Sequence, residues 1–426
     1  MKQITVALAG LGSRGKDAYA PFAARWPEKM KITAIADIDP EKVKTVAETY
    51  GVPADRCFAS AEEMLKQDKL ADVMFITTQD RQHVEHAVPA LEKGYDLLLE
   101  KPISPDPAEC RRLVKTAEAC GRKVVICHVL RYTPFYQELK RQLEEGAIGE
   151  IVTVMAIEDV GYWHQAHSFV RGNWRNSDTT SPMILQKCCH DMDLVLWLTG
   201  KTCRAVSSFG STYLFKKEMA PEGAAKRCMD GCRCKAECPF DAEKIYMTNA
   251  KTGIDCGNRE WPNDVLTLHP DKESVLRAIE TGPYGRCVYY CDNNVVDHQV
   301  LNMEMTDGTT VSFTMTGFTS KINREAKFCG TKGELTADLD AQLITIRPFG
   351  GPERQIDVSK LATDFSGHAG GDNRMVDEFL EMIREGKEPA KNMTTLAQSV
   401  ESHYIALAAE KSRLQGGRPV LLADMR

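Results

Sequence analysis

Ile4-Thr5-Val6-Ala7-Leu8-Ala9-Gly10-Leu11-Gly12-Ser13-Arg14-Gly15 runs an apolar strand into a glycine-spaced turn, and a helix-like segment follows through Phe22. Glycines in the G-x-G-x-x-G pattern allow a tight turn and let a pyrophosphate approach backbone N–H groups at a helix N-terminus. The pattern by itself is weak; its surroundings strengthen it. A second apolar run, Lys31 to Ala36, ends in Asp37, 22 residues past Gly15. An acid near that offset accepts hydrogen bonds from the adenosine ribose and repels a 2′-phosphate. Ile38 rather than an arginine comes next, so NAD is expected over NADP.

Strand and helix patterns go on alternating. Glu41–Tyr50, Val84–Lys93 and Pro107–Cys120 read as helices stopped by Gly51, Gly94 and Gly121; Ala71–Thr77, Asp96–Leu99 and Lys123–Cys127 read as strands. Short connections between such elements give an α/β fold with a parallel sheet covered on both faces. The expected Rossmann domain covers residues 1–127, and a second domain covers 128–426. Ligands of such sheets bind beyond the carboxyl ends of the strands, which directs attention to Thr77-Thr78, Glu100-Lys101-Pro102 and His128 to Arg131. Lys101, directly after a strand and held by a proline, can hydrogen-bond a substrate hydroxyl and stabilise a developing alkoxide.

Composition narrows the class. Of 426 residues, 43% are hydrophobic and 27% charged, with a net charge of −6. That is globular composition, with no basic face for nucleic acid or anionic lipid. No apolar run approaches the roughly 18 residues of a membrane span, and the opening residues do not form a signal peptide. A soluble cytoplasmic protein is expected.

The chain resembles the Gfo/Idh/MocA oxidoreductases, the glucose-fructose oxidoreductase and inositol dehydrogenase group. The matching stretches are Gly10 to Gly15, Asp37, Thr77 to His83, Glu100 to Pro102, His128 to Pro134, Cys188 to Gly200 and His368 to Leu380. The resemblance implies a Rossmann domain followed by an α+β domain with a large, mostly antiparallel sheet. It also implies a nicotinamide cofactor, hydride chemistry on a sugar or polyol carbon, and a homo-oligomer, dimer or tetramer, formed through the open sheet face. The cofactor contacts expected on this basis are Gly10, Gly12, Ser13, Arg14, Gly15, Asp37, Thr77, Thr78, His83, Glu100, Lys101 and His128. The family's catalytic pair falls on Lys101 and His190.

Ser181-Pro182 reads as a helix start, so Met183–Leu198 is predicted as one helix. Relatives usually carry an aspartate four residues before the histidine; here that position is Gln186, followed by Lys187. On a continuous helix both share a face with His190. Lys187 is therefore expected in the site, as a second cation that lowers the pKa of His190 or as the partner of an acidic substrate group, or else paired with a nearby acid.

Just before this helix, the segment 161–175 carries Tyr162, Trp163, His164, His167, Arg171, Trp174 and Arg175. Flat apolar faces suit sugar C–H groups and polar donors suit hydroxyls, so these residues, with Arg131 and Gln186, are expected to bind substrate. Seven cysteines fall between Cys228 and Cys291 in an insertion at about 220–292 that is expected to lack a core of its own. Cys228, Cys232, Cys238 and Cys287 are the expected ligands of a structural zinc, although more cysteines are present than the four required, and uncombined thiols or disulfides are the competing reading. No ferredoxin-type spacing appears, which argues against an iron–sulfur cluster.

The function expected is NAD-dependent oxidation of a secondary alcohol of a sugar, glycoside or polyol, at C3 in a glycoside. Lys101 would polarise the hydroxyl and His190 take its proton. The alternative is a redox glycosidase that oxidises C3 transiently on bound NAD, eliminates the aglycone, adds water and restores the alcohol.

Overall fold

The computed structural model describes residues 2–362 and 366–426, with backbone alone at 366 and 367. Among these residues, six strands pair in parallel: β1 (Ile4–Ala9), β2 (Met30–Ala36), β3 (Cys57–Phe58), β4 (Val73–Ile76), β5 (Asp96–Leu99) and β6 (Val124–Ile126). Their order is β3-β2-β1-β4-β5-β6. All four side chains of β4 are buried, as a strand covered on both faces requires. The order reverses between β1 and β4, which opens a crevice at their carboxyl ends. This is the doubly wound sheet expected of the first third.

The second sheet is mixed and mostly antiparallel. It comprises β7 (Ile151–Asp159), β8 (Cys203–Ser211), β9 (His298–Met305), β10 (Thr310–Thr316), β11 (Asn323–Gly330), β12 (Gly333–Asp338), β13 (Leu343–Pro348), β14 (Arg354–Asp357) and β15 (Val420–Leu421). The order is β14-β13-β12-β11-β7-β10-β9-β8-β15, and only β7 and β10 run parallel. One face buries Leu301, Met303, Phe313 and Phe328 against Ile184, Met192 and Leu407 of the helical layer.

Two C-terminal helices tie the sheets together. Helix Ser366–Glu385 places Met375 and Phe379 among Val6, Phe75 and Val125 of the first sheet. Ahead of helix Leu396–Leu414, the Thr394 carbonyl accepts the Ile126 N–H at 2.8 Å, and Val125 bridges Thr395.

The insertion between β8 and β9 differs from expectation because it does have a core. Phe215, Phe240, Ile245, Tyr246, Val275, Ile279 and Val288 cluster with Ala166 and Val170. Among the described residues no helix is long and apolar enough to cross a membrane.

Candidate active site

The glycine turn is shaped by contacts that its sequence only hints at. Gly10 has φ +91°, and a Cβ there would lie 2.6 Å from the Thr77 carbonyl carbon. A Cβ on Gly15 would lie 2.0 Å from the Gly10 oxygen, so this glycine lets the following helix close onto the strand. Gly12 differs: a Cβ there would meet no protein atom within 4 Å. It borders open space, where a pyrophosphate has room to approach the backbone. The hydroxyl of Thr77 donates to the carbonyls of Ala9 (3.0 Å) and Gly10 (2.6 Å), pinning the turn from β4. At the end of β2, Asp37 accepts N–H bonds from Leu11 at 2.5 Å and Asp39 at 2.9 Å. These residues fit the phosphates and ribose of a dinucleotide.

Other expected cofactor contacts are committed elsewhere. Arg14 donates to Glu100 at 2.7 Å, to the Tyr19 hydroxyl at 2.6 Å and to Asp372 at 2.6 Å. Glu100, 4% exposed, also accepts the Lys101 N–H at 2.9 Å. Both residues therefore brace the turn and the lysine. The ring nitrogens of His83 face the carbonyls of Pro102 at 2.7 Å and Thr78 at 3.0 Å, joining two strand ends. The Thr78 hydroxyl lies 3.0 Å from His86 Nδ1. The materials of the turn thus separate into groups that border the opening and groups that hold it.

Lys101 and His190 do converge. After β5 the chain passes through a cis Lys101–Pro102 bond, and Lys101 Nζ donates to the Gln186 carbonyl at 2.9 Å. That carbonyl is free because the expected single helix is broken. Helix Met183–Gln186 stops, Lys187 and Cys188 form a turn, and helix Cys189–Thr199 begins again. The His190 ring stands 5.4 Å from that of His128, which stands 5.7 Å from that of His403. Burial, then the Lys101 charge, then His128, hold His190 well below the usual histidine range. Its Nδ1 and both nitrogens of His128 are buried with no hydrogen-bond partner among the described residues. His403 accepts the Ile103 N–H at 2.8 Å and so fixes the segment after Pro102. Nothing in its apolar helix marked it in the sequence.

The break also redirects Lys187. Its ammonium pairs with buried Glu158 at 3.1 Å, and Glu158 meets Arg324 at 2.9 Å, which in turn pairs with Asp191 at 2.8 Å. Two cations and two carboxylates balance in one buried chain. Lys187 as a free catalytic cation is thus corrected: it is a partner of β7.

The expected substrate residues divide sharply. Arg131 is spent on a bidentate pair with Asp193 (2.7 and 2.6 Å) and on Gln398 at 3.0 Å. His167 bonds the Tyr246 hydroxyl at 2.9 Å and stacks on Tyr284 at 4.8 Å, and burial, then the Arg171 charge, depress it to about 3. Arg171 donates to the carbonyls of Arg286 and Phe240 inside the insertion. Arg175 forms a surface pair with Asp292 at 2.7 Å. These four are corrected from ligand contacts to structural anchors, because the segment 161–175 is where the insertion docks. Trp163 and His164 pack around Trp261 of the insertion, at ring distances of 4.9 and 4.8 Å. Tyr162 packs edge-on against Phe240, and Trp174 lies 6.2 Å from Phe169. Burial and then the Lys187 charge push the His164 imidazole well down, and its Nδ1 has no partner among the described residues.

The zinc expectation is also corrected. Cys228, Cys232, Cys238 and Cys287 do line one cavity. Yet among the described residues no three histidine, cysteine or acidic side chains come together as ligands for a metal ion.

Comparison with known proteins accords with this arrangement. Residues 4–128 match the model of an oxidoreductase family with an NAD-binding Rossmann fold, and residues 140–421 match that family's C-terminal alpha/beta domain. The oxidoreductase YteT of Bacillus subtilis is 23% identical over 425 residues, 95% of this chain and 94% of that protein. An inositol 2-dehydrogenase of Saccharopolyspora erythraea is 28% identical over 212 residues, and the match spans 48% of this chain and 57% of that protein. Among solved structures, an Agrobacterium radiobacter oxidoreductase in complex with NAD+, L-tartaric acid and magnesium superposes with a TM-score of 0.69 at 15% identity, covering 100% of both chains.

Proposed function

The chain belongs to the Gfo/Idh/MocA family of NAD-binding oxidoreductases, and from that premise we propose that it oxidises a secondary alcohol of a sugar, glycoside or polyol. What carries the reading is the meeting of Lys101, anchored on the Gln186 carbonyl, with the depressed imidazole of His190 beside the strand ends. The open side of Gly12 and the Asp37 carboxylate would hold NAD, which when bound supplies the hydride acceptor. Lys101 donates from Nζ to the substrate hydroxyl and stabilises negative charge as it develops there. His190, neutral at pH 7, accepts the hydroxyl proton at Nε2, its Nδ1 being enclosed. His128 and His403 keep the imidazole's surroundings neutral, and Arg131 with Asp193 fixes the helix that carries it.

The glycosidase alternative drew on the missing aspartate, on Lys187 and on the histidine-bearing loop for added acid–base work; Glu158 takes the Lys187 ammonium and Tyr246 engages His167. The alcohol dehydrogenase reading is therefore the one we retain. Purified protein supplied with NAD and a panel of inositols, aldoses and aryl glycosides is expected to form NADH on at least one polyol or sugar. Lys101→Ala should lower that rate by about 100-fold or more. Equal rates for the two proteins would remove Lys101 from the mechanism, and aglycone release without NADH would restore the alternative.

A further inference from the structure

Thr78 follows β4 at the switch point of the first sheet. A Cβ on Gly10 would lie 2.8 Å from its backbone nitrogen, so the residue stands against the glycine turn. On the other side, the Glu100 N–H donates to the Ile76 carbonyl at 2.9 Å, which keeps β4 and β5 joined and brings the segment after β4 alongside Lys101. Thr78 is half-buried there. Helix His83–Glu92 holds it by both polar ends: His83 Nε2 faces the Thr78 carbonyl at 3.0 Å, and His86 Nδ1 faces the Thr78 hydroxyl at 3.0 Å.

The second contact leads on to a carboxylate. His86 is 2% exposed, and its Nε2 lies 3.0 Å from Glu62 Oε1. Glu62 belongs to helix Ala61–Lys66, and its side chain is 57% exposed. Hydrogen bonds from His86 and then Ser60 hold its carboxyl down to about 2, so it is ionised at neutral pH. Carboxylate, imidazole and hydroxyl thus form one line from solvent to the crevice. Glu62 and His86 lie outside the stretches shared with the family.

Counting protons fixes the direction of this line. An ionised carboxylate only accepts, so Nε2 carries the imidazole proton. In the neutral ring Nδ1 is then an acceptor, and the Thr78 hydroxyl donates to it. A hydroxyl has one proton. With that proton engaged by His86, Oγ1 offers only lone pairs to the crevice, and it has no other partner among the described residues. A ligand group opposite Thr78 must bring an O–H or an N–H. A phosphate oxygen, which only accepts, is turned away.

We propose that Glu62 and His86 are positioning residues that set the Thr78 hydroxyl as an acceptor for a donor on the nicotinamide half of NAD, an assignment that rests on the NAD-dependent reaction proposed above. Gly12 and Asp37 border the phosphate and adenosine side of the crevice, Lys101 marks the reacting side, and Thr78 stands between the glycine turn and Lys101. Two donors belong to that half of the cofactor, a ribose hydroxyl and the carboxamide N–H. An acceptor fixed at this point orients the ring against the carbon whose hydroxyl Lys101 binds.

The test is fluorescence titration of the nucleotide-free, full-length protein with NAD and with its acetylpyridine analogue, which lacks the carboxamide N–H. Thr78→Val should weaken NAD binding by about 5- to 10-fold, the range of one net hydrogen bond, and Thr78→Ser should recover most of it. Equal weakening of both nucleotides identifies the ribose hydroxyl as the donor, and weakening of NAD alone identifies the carboxamide. Glu62→Gln lies at an exposed position and should leave the melting temperature unchanged. It should still weaken NAD binding by about 2-fold or more, because its amide also admits the opposite tautomer of His86. Nitrogen NMR reads that tautomer directly: the His86 ring, assigned by its loss in His86→Gln, is expected with its proton on Nε2. A proton on Nδ1, or NAD binding indifferent to Thr78→Val, would overturn the assignment and leave the dehydrogenase reading standing. Absence of NAD binding by the unaltered protein would overturn both. Should His86→Gln not fold, the titrations decide alone.

Discussion

At the scale of single residues, the crevice is a place where charge is kept off imidazoles. His190 lies under the combined effect of burial, Lys101 and His128, all of which disfavour its protonated form. Lys101→Met removes one of the three, so the His190 titration followed by NMR should move upward, toward the ordinary value near about 6.5. No movement would place the ammonium elsewhere. Arg131 and Asp193, both nearly inaccessible, form a second test. Arg131→Met leaves a buried carboxylate unpaired, and a loss of about 3–5 kcal/mol in unfolding free energy is expected. Much of this level is not legible in sequence. Lys101 and His190 stood out by motif, but Arg131 and Arg171 have the composition of ligand-binding residues and are used for packing. Their partners, Asp193 and the Phe240 carbonyl, lie 62 and 69 positions away.

Among elements, the two glycines of the first turn make a paired experiment. Gly15→Ala drives a methyl into the Gly10 carbonyl, so both thermal stability and NAD affinity should fall. Gly12→Ala meets no protein atom; stability should change by less than about 1 kcal/mol, while NAD titration by fluorescence should show clear weakening. Unchanged affinity in Gly12→Ala would mean that the dinucleotide does not pass this face. Strand-helix alternation and the glycine spacing were readable because both are local. The broken helix at Lys187–Cys188 was not. No glycine or proline marks it after Pro182, and its causes, Glu158 on β7 and Lys101 after β5, belong to other parts of the chain. The insertion's core escaped notice for a similar reason: Tyr246, Trp261 and Tyr284 pair with residues 79 to 117 positions earlier, or with one another, rather than at any repeating interval.

Over the whole molecule, acid should be destabilising through histidine as well as carboxylate. His128, His164, His167, His190 and His403 are each held below the usual range by burial first. Below about pH 6.5 the unfolded chain binds protons at these sites that the folded chain refuses. Stability is then lost as pH falls, by up to about 1.4 kcal/mol per pH unit for each such histidine. Denaturant melts at pH 7 and pH 5.5 should show this, and His403→Gln should flatten the slope; an unchanged slope would exclude His403 from the effect. The open side of the second sheet presents Met155 and Val300, which suits the self-association expected from the family resemblance. Met155→Asp is expected to lower the mass measured by light scattering, with no change in the folded circular dichroism spectrum.

The return of the chain at Thr394 to the edge of β6 has a temporal side. Synthesis runs from the N-terminus and domains ordinarily fold as they emerge, yet here the nucleotide sheet receives Met375, Phe379 and the Thr394 carbonyl from residues made long after it. Until those residues leave the ribosome, Phe75 and Val125 lack part of their cover. The nucleotide-binding third of this chain must therefore wait, apolar surface showing, for helices made well after it, and its dependence on chaperones should exceed that of a Rossmann unit that closes on its own.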